Sequence, residues 1–199
     1  MYVVAFNGSA RKNGNTAVLI EAVLDRLRAA GIDTEHVQLA GQKLSGCTGC
    51  LKCRQTMDMT CTVKDDVVNE CIQKMVAADG IIIGSPVYYS DLTVNTKALI
   101  ERAGYVTRGN DNALRRKLGA AVVAVRRGGA VHTFDSINHF FQISEMMVVG
   151  SRYWNLGIGL EKGDVRGDDE GLLTMEVLGD NMAWALERLC GEPRVGTGE

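Results

Sequence analysis

The chain has 199 residues, of which 46% are hydrophobic and 23% charged, an ordinary composition for one globular domain with a substantial core. The formal net charge of −2 provides no basic excess, which argues against a nucleic-acid partner. The sequence contains no apolar run long enough for a transmembrane helix and no basic, then apolar leader, so we expect a cytoplasmic protein without membrane contact.

Short apolar, β-branched runs alternate with amphipathic stretches along the chain. The predicted strands are Tyr2–Phe6, Thr34–Gln38, Gly80–Gly84, Ala120–Val125 and Met146–Val149. The predicted helices are Thr16–Ala30, Asp66–Ala77, Val94–Ala103, Val131–Gln142 and Gly171–Leu189. Continuous apolar strands are typical of a parallel sheet covered on both faces. The alternation therefore predicts an α/β three-layer sandwich around a five-stranded parallel sheet with the flavodoxin-like order 2-1-3-4-5.

We expect one domain over residues 1–190, with a cysteine-rich insertion at 45–64 and a disordered tail at 191–199. The glycine-rich segment Gly150–Glu170 is expected to form a long loop. No internal repeat or low-complexity segment divides the chain.

The segment GSARKNGNT, Gly8–Thr16, joins the first predicted strand to the first predicted helix. In an open α/β sheet, ligands bind beyond the carboxyl ends of the strands. Glycine turns, small polar side chains, a basic residue and a helix N-terminus together suit a terminal phosphate monoester. The segment matches neither GxxxxGK[ST] nor GxGxxG, and an ordinary polar turn with a helix cap remains the alternative.

Two further loops follow predicted strands at the same edge. The first, GSPVYYSDLTVNTK, carries Pro86 and the adjacent residues Tyr88 and Tyr89, which offer flat surfaces. The second, RRGGAV, carries a glycine pair that lets a planar ligand approach the backbone N–H groups. A phosphate pocket, an aromatic wall and a bare backbone are the three features that bound FMN requires.

Four of the six cysteines lie within fifteen residues, in the pattern C-x2-C-x2-C-x7-C formed by Cys47, Cys50, Cys53 and Cys61. A compact run of thiolates can ligate a [4Fe–4S] cluster. Structural zinc usually takes two separated knuckles, and unligated thiols are the third alternative. Cys71 and Cys190 are interpreted as core or surface residues, and Asp65–Asp66 as carboxylates at a helix start.

Four segments carry a family resemblance: GSARKNGNT, CTGCLKC with the following C and KDD, ADGIIIGSPVYYSDLTVNTKALIER, and RRGGA. Together they resemble the NADPH-dependent FMN reductase branch of the flavodoxin-like superfamily. Within it, the chain is most similar to the iron–sulfur flavoproteins, over roughly residues 1–150. The resemblance implies phosphate contacts from Ser9, Arg11, Asn15 and Thr16. It implies isoalloxazine contacts from Pro86, Val87, Tyr88, Ser90, Arg127, Gly128 and Gly129. It also supports cluster ligation by the four clustered cysteines.

These features predict an FMN-dependent oxidoreductase that passes electrons from NAD(P)H or reduced ferredoxin to a quinone, a flavin or a protein, with a [4Fe–4S] cluster as a further carrier. FMN would perform the chemistry, so no catalytic side chain is required. The alternatives are a non-enzymatic electron carrier and a redox-sensing module that uses the cysteine thiols. The resemblance further implies a homodimer or homotetramer in which a neighbouring subunit helps to close the flavin site.

Overall fold

The computed structural model describes residues 1–190, so the predicted tail at 191–199 lies outside the described residues. The strands are β1 Tyr2–Asn7, β2 Asp33–Gln38, β3 Gly80–Pro86, β4 Leu118–Val125, β5 Met147–Val148 and β6 Leu156–Ile158. The helices are α1 Asn15–Ala29, α2 Lys52–Thr56, α3 Val68–Ala77, α4 Val94–Gly109, α5 Ala130–Ile143 and α6 Asp169–Cys190. Each predicted strand and helix is present, with ends shifted by a few residues.

The strands form one parallel sheet with the order β2-β1-β3-β4-β5, which confirms the predicted fold class. A sixth strand, β6, pairs with β4 further along the same edge than β5 does. The segment Gly150–Glu170 is therefore not simply a long loop as predicted, because it contains β6 and a 3-10 turn at Asp164–Gly167. The end of β4 has backbone groups that need partners, and the returning chain supplies them: Val123 N–H donates to Asn155 O at 2.9 Å.

Side chains on each strand alternate between two apolar layers. Val3 and Ala5 of β1 pack with α1 and α6 on one face, whereas Val4 and Phe6 pack with α3, α4 and α5 on the other. All four are at most 1% exposed. Burial on both faces explains why the predicted strands read as continuous apolar runs rather than as alternating ones.

The cysteine-rich insertion connects β2 to α3. Its short helix α2 contacts α4, so the insertion packs on the side of the sheet that α3, α4 and α5 cover. Among the described residues 1–190, no helix is both long enough and apolar enough to span a bilayer.

The first and last helices, α1 and α6, pack against each other at Gly179. A Cβ at this position would lie 2.6 Å from Cβ of Arg26 and 2.7 Å from the carbonyl oxygen of Val23. We expect Gly179→Ala to lower the free energy of unfolding by about 1–3 kcal/mol, because overpacking outweighs the roughly 1 kcal/mol that alanine gains in a helix. Urea denaturation measures the change.

Gly104 in α4 offers the matched control. A Cβ there would have its nearest neighbour at 3.6 Å, on the Phe140 ring, which is ordinary van der Waals contact. Gly104→Ala should therefore raise the free energy of unfolding by about 0.5–1 kcal/mol. If both variants were stabilised alike, α1 and α6 would not be in the close contact described here.

Candidate functional site

The loop after β1 is held in a tight turn by its own polar side chains. Asn7 Oδ1 accepts from Ser9 N–H at 3.0 Å, and Ser9 Oγ accepts from Arg11 N–H at 3.1 Å. The N–H of Gly14 donates to Arg11 O at 3.2 Å and the chain then enters α1. These bonds shape the loop into a concave turn at the carboxyl end of β1.

Thr16 lies in the first turn of α1, and its hydroxyl oxygen is buried without a hydrogen-bond partner among the described residues. An unsatisfied buried hydroxyl costs about 1–3 kcal/mol, so such a group favours a bound partner. The first turn of α1 carries no acidic residue, which leaves the positive end of the helix dipole uncompensated. The site therefore suits an anion with acceptor oxygens, such as a phosphate.

A cavity of about 170 Å³ opens at this edge of the sheet. The predicted site residues that line it are Ser9, Arg11, Asn15, Thr16, Pro86, Val87 and Tyr88. Residues that were not predicted also line it, namely Ala124, Arg126, Gly159 and Leu160. The structure thus brings the loops after β1, β3 and β4 together, as the strand order required.

The remaining predicted contacts, Ser90, Arg127, Gly128 and Gly129, lie outside this cavity lining. Gly129 has a φ of +89°, and a Cβ there would lie 2.8 Å from Cα of Ser90, so the loops after β3 and β4 touch at this point. Gly128 is exposed with open space above it. Arg126 rather than Arg127 is the arginine of the cavity wall.

Tyr88 and Tyr89 have different environments. Tyr88 and Asp91 exchange two backbone hydrogen bonds of 2.8 and 3.0 Å, and the two residues between them, Tyr89 and Ser90, have φ values of 50° and 63°. A left-handed conformation is uncommon for residues other than glycine and is often found at functional sites. This turn leaves Tyr88 on the cavity wall and exposes Tyr89 completely to solvent.

The segment after β6 closes one side of the cavity, a role that was not predicted from the sequence. Asn15 Nδ2 donates to Glu161 O at 2.9 Å, and Asn15 Oδ1 accepts from Gly163 N–H at 2.8 Å. The predicted phosphate ligand Asn15 therefore also fastens this segment to the loop after β1. The cluster of glycines was the available signal, since a Cβ at Gly159 would lie 2.7 Å from Asn15 Nδ2.

A second cavity is lined by all four clustered cysteines, Cys47, Cys50, Cys53 and Cys61. Its free volume is about 20 Å³, room for roughly one water. In this arrangement, no three thiol, imidazole or carboxylate side chains among residues 1–190 stand close enough to hold a metal ion. A metal centre at the thiols would therefore require a different arrangement of the cysteine-rich insertion.

The thiols differ in their electrostatic environment. The backbone N–H of Lys52 and the hydroxyls of Thr62 and Thr48 stabilise the thiolate of Cys50 and lower its pKa to about 7. Burial raises the pKa of Cys53, and the neighbouring cysteines add to that shift through their charges. The four thiols are thus close enough to influence each other, and one of them is poised to ionise near neutral pH.

The guanidinium of Arg102 is buried beside this cavity. It pairs with Asp66, and its Nε donates to Cys61 Sγ at 3.4 Å. Burial opposes the charge of Arg102, but the bonds to Asp66 and Cys61 raise its pKa. Asp66 also accepts from Val68 N–H at 3.1 Å. The N-cap of α3 is Val67 and its first-turn carboxylate is Glu70, so the prediction of Asp65 and Asp66 as N-cap and first-turn residues is wrong: both lie just before the helix, and Asp66 instead pairs with Arg102.

Cys71 is a core residue of α3, where burial raises its thiol pKa to about 12. Cys190 is exposed at the end of α6. Both positions agree with their interpretation from the sequence.

Comparison with known proteins shows which family the chain belongs to. Residues 1–161 match the family model described as NADPH-dependent FMN reductase. An iron–sulfur flavoprotein from Methanocaldococcus jannaschii is 39% identical over 92% of this chain and 96% of its own length. An iron–sulfur flavoprotein from Methanosarcina thermophila is 37% identical over 75% of this chain and 78% of its own length.

Among solved structures, a flavodoxin from the domain Archaea superimposes with a TM-score of 0.61 at 18% identity, covering 94% of this chain and 99% of that one. At this identity the likeness concerns the fold, and it agrees with the sheet order. The family match covers most of the chain and contains all three loops of the first cavity and all four clustered cysteines. The chain therefore belongs to the NADPH-dependent FMN reductase family and has the flavodoxin-like fold.

Proposed function

We propose that this protein is an FMN-dependent oxidoreductase that takes electrons from NAD(P)H or reduced ferredoxin and passes them, with the help of a [4Fe–4S] cluster, to a quinone, flavin or protein acceptor. The observation that carries the proposal is the buried, unpartnered hydroxyl of Thr16 in a cavity at the carboxyl edge of the sheet. Family membership and the names of the relatives support the flavin and the cluster respectively.

The first cavity suits the phosphate end of FMN. Thr16, the N-terminus of α1 and the charged side chain of Arg11 would hold the phosphate. Small-molecule pockets usually measure roughly 300–1,000 Å³, so a cavity of about 170 Å³ accepts this end rather than the whole cofactor. We expect Tyr88, on the cavity wall, and the exposed backbone at Gly128 to contact the ring. Bound FMN supplies hydride acceptance and single-electron release.

The second cavity supplies the donor set for a cluster. Metal ligation requires thiolates, and Cys50 has a lowered pKa, while the charge of Arg102 offsets thiolate charge beside Cys61. The exposed turn that carries Cys50 also contains Gly49 and Leu51, both with positive φ and both exposed. A bound cluster supplies one-electron transfer. A reducing cytoplasm keeps such thiols free of disulfides, and we place the protein there.

Phosphate binding by Thr16 is tested with Thr16→Val, which keeps the shape and removes the hydroxyl. We expect FMN affinity to fall about tenfold or more, because a hydrogen bond to a charged group contributes roughly 1.5–3 kcal/mol. Riboflavin lacks the phosphate, so its affinity should stay the same. Flavin fluorescence quenching measures both, and Thr34→Val on β2 is the control variant. Equal losses for FMN and riboflavin would contradict the assignment.

The cluster is tested on protein prepared without oxygen. We expect about four iron and four sulfide per chain, the content of one [4Fe–4S] centre. Cys50→Ala should abolish the iron while FMN remains bound, because the two cavities are lined by different residues. Cys190→Ser, which changes an exposed cysteine elsewhere, should keep the iron. If wild-type protein shows flavin absorption bands but contains no iron, the cluster assignment is wrong and the protein is a flavin-only reductase with free thiols.

We also propose a homodimer or homotetramer. Large apolar side chains are exposed near the flavin edge, namely Tyr88, Tyr89, Val94, Val131 and Leu160. A partner subunit that covers them would shield the flavin and remove apolar surface from water. Light scattering at micromolar concentration should show the oligomer, and Val94→Asp should weaken it. A monodisperse monomer with FMN bound would rule out this assembly.

Turnover separates the enzyme from its alternatives. Holoprotein should oxidise NADPH, NADH or reduced ferredoxin catalytically when a quinone or free flavin is present. Thr16→Val should lose this activity when the FMN concentration is below the raised dissociation constant of the variant for FMN. An electron carrier would exchange electrons with a reduced partner protein without turning over a nicotinamide. A thiol-based sensor would show neither reaction.

A further inference from the structure

We propose that Arg102 is a positioning residue of the cysteine cavity: it fastens both ends of the cysteine-rich insertion to α4 and donates a hydrogen bond to the sulfur of Cys61. The inference deepens the proposed function and depends on it for its relevance to electron transfer. It concerns only side chains that the structure places in contact.

Arg102 makes an unusual number of contacts for one buried side chain. Its side chain is 0% exposed, and that of its partner Asp66 is 1% exposed. Nη2 donates to Val63 O at 2.9 Å, and Nη1 donates to Ser45 O at 3.4 Å as well as to Asp66. Nε donates to Cys61 Sγ at 3.4 Å. All three guanidinium nitrogens therefore bind the cysteine-rich insertion or the residues that follow it.

These partners lie at the two ends of the insertion. Ser45 precedes the first cysteine of the cluster, and Val63 follows the last one. Arg102 of α4 thus connects the two ends of the insertion through hydrogen bonds to Ser45 and Val63. Only a planar group with several fixed donors can do this, so lysine is not an equivalent residue here.

Hydrogen bonds also hold the backbone of Cys61. Its N–H donates to Asn69 Oδ1 at 2.7 Å, and its carbonyl oxygen accepts from Asn69 Nδ2 at 3.0 Å. Cys53, on α2, is buried, and its Sγ lies 3.7 Å from Tyr105 O. Cys61 and Cys53 form the fixed side of the cavity, whereas Cys50 lies on the exposed turn.

The hydrogen bond has a redox consequence for the proposed cluster. A donor to a ligand sulfur draws electron density from it and so favours the reduced cluster, which raises the reduction potential. Arg102 is permanently charged, which strengthens the effect in a buried setting. Its removal should therefore lower the cluster potential and leave the FMN potential unchanged, since the first cavity is lined by other residues.

The test uses Arg102→Lys, with Arg108→Lys as the matched control, because Arg108 is an exposed arginine on the same helix. In metal-free protein, hydrogen–deuterium exchange of peptides covering residues 45–63 should become about tenfold faster in Arg102→Lys, while the sheet stays protected. In anaerobically reconstituted protein, the cluster potential should be lower than in the wild type. Arg108→Lys should change neither quantity.

Asp66→Asn is the second variant in case Arg102→Lys does not fold. It keeps every guanidinium donor but removes the charge that orients them, so hydrogen–deuterium exchange over residues 45–63 should accelerate by a smaller amount. Loss of a negative charge beside the cluster acts on the cluster potential in the opposite direction, so the potential is compared only between the wild type and the two arginine variants. Wild-type exchange rates in both variants, together with a wild-type cluster potential in Arg102→Lys, would overturn the inference. If wild-type protein takes up no iron, the cluster in the proposed function fails, and the exchange measurement still decides whether Arg102 positions the insertion.

Discussion

A parallel sheet buried on both faces is the constraint on which the rest of this structure depends. Val3 to Phe6 are almost completely inaccessible, and each connection from β1 through to β5 crosses over a face of the sheet as a helix. All strands then end at the same edge, where the loops after β1, β3 and β4 meet. This geometry places Thr16, Tyr88 and Arg126 around one cavity although they are far apart in the chain.

Helix α4 connects this edge to the cysteine cavity. The hydroxyl of Thr93, its N-cap, donates to Gly8 O at 2.8 Å in the loop after β1. Further along the same helix, the guanidinium of Arg102 holds the cysteine-rich insertion, and Glu101 accepts from Cys47 N–H at 3.4 Å. One rigid element thus sets the positions of both cavities relative to each other.

Charge is distributed unevenly between the surface and the two cavities. The chain has a formal net charge of −2, yet Arg11 and Arg126 line the first cavity and Arg102 the second. A cationic pocket favours a phosphate and an anionic reduced flavin, and a buried guanidinium favours thiolate ligands. The same sign of charge therefore suits both of the proposed ligands.

The sequence by itself determined the fold class, the loop after β1 and the four cysteines, because strand and helix periodicity, glycine turns and cysteine spacing are local patterns. Only the tertiary structure revealed the bonds of Asn15 with Glu161 and the pair of Arg102 with Asp66. Such contacts join residues distant in sequence, and their formation depends on how the helices pack. No local pattern distinguishes the buried Arg102 from the exposed Arg108 of the same helix; the insertion that covers one of them makes the difference.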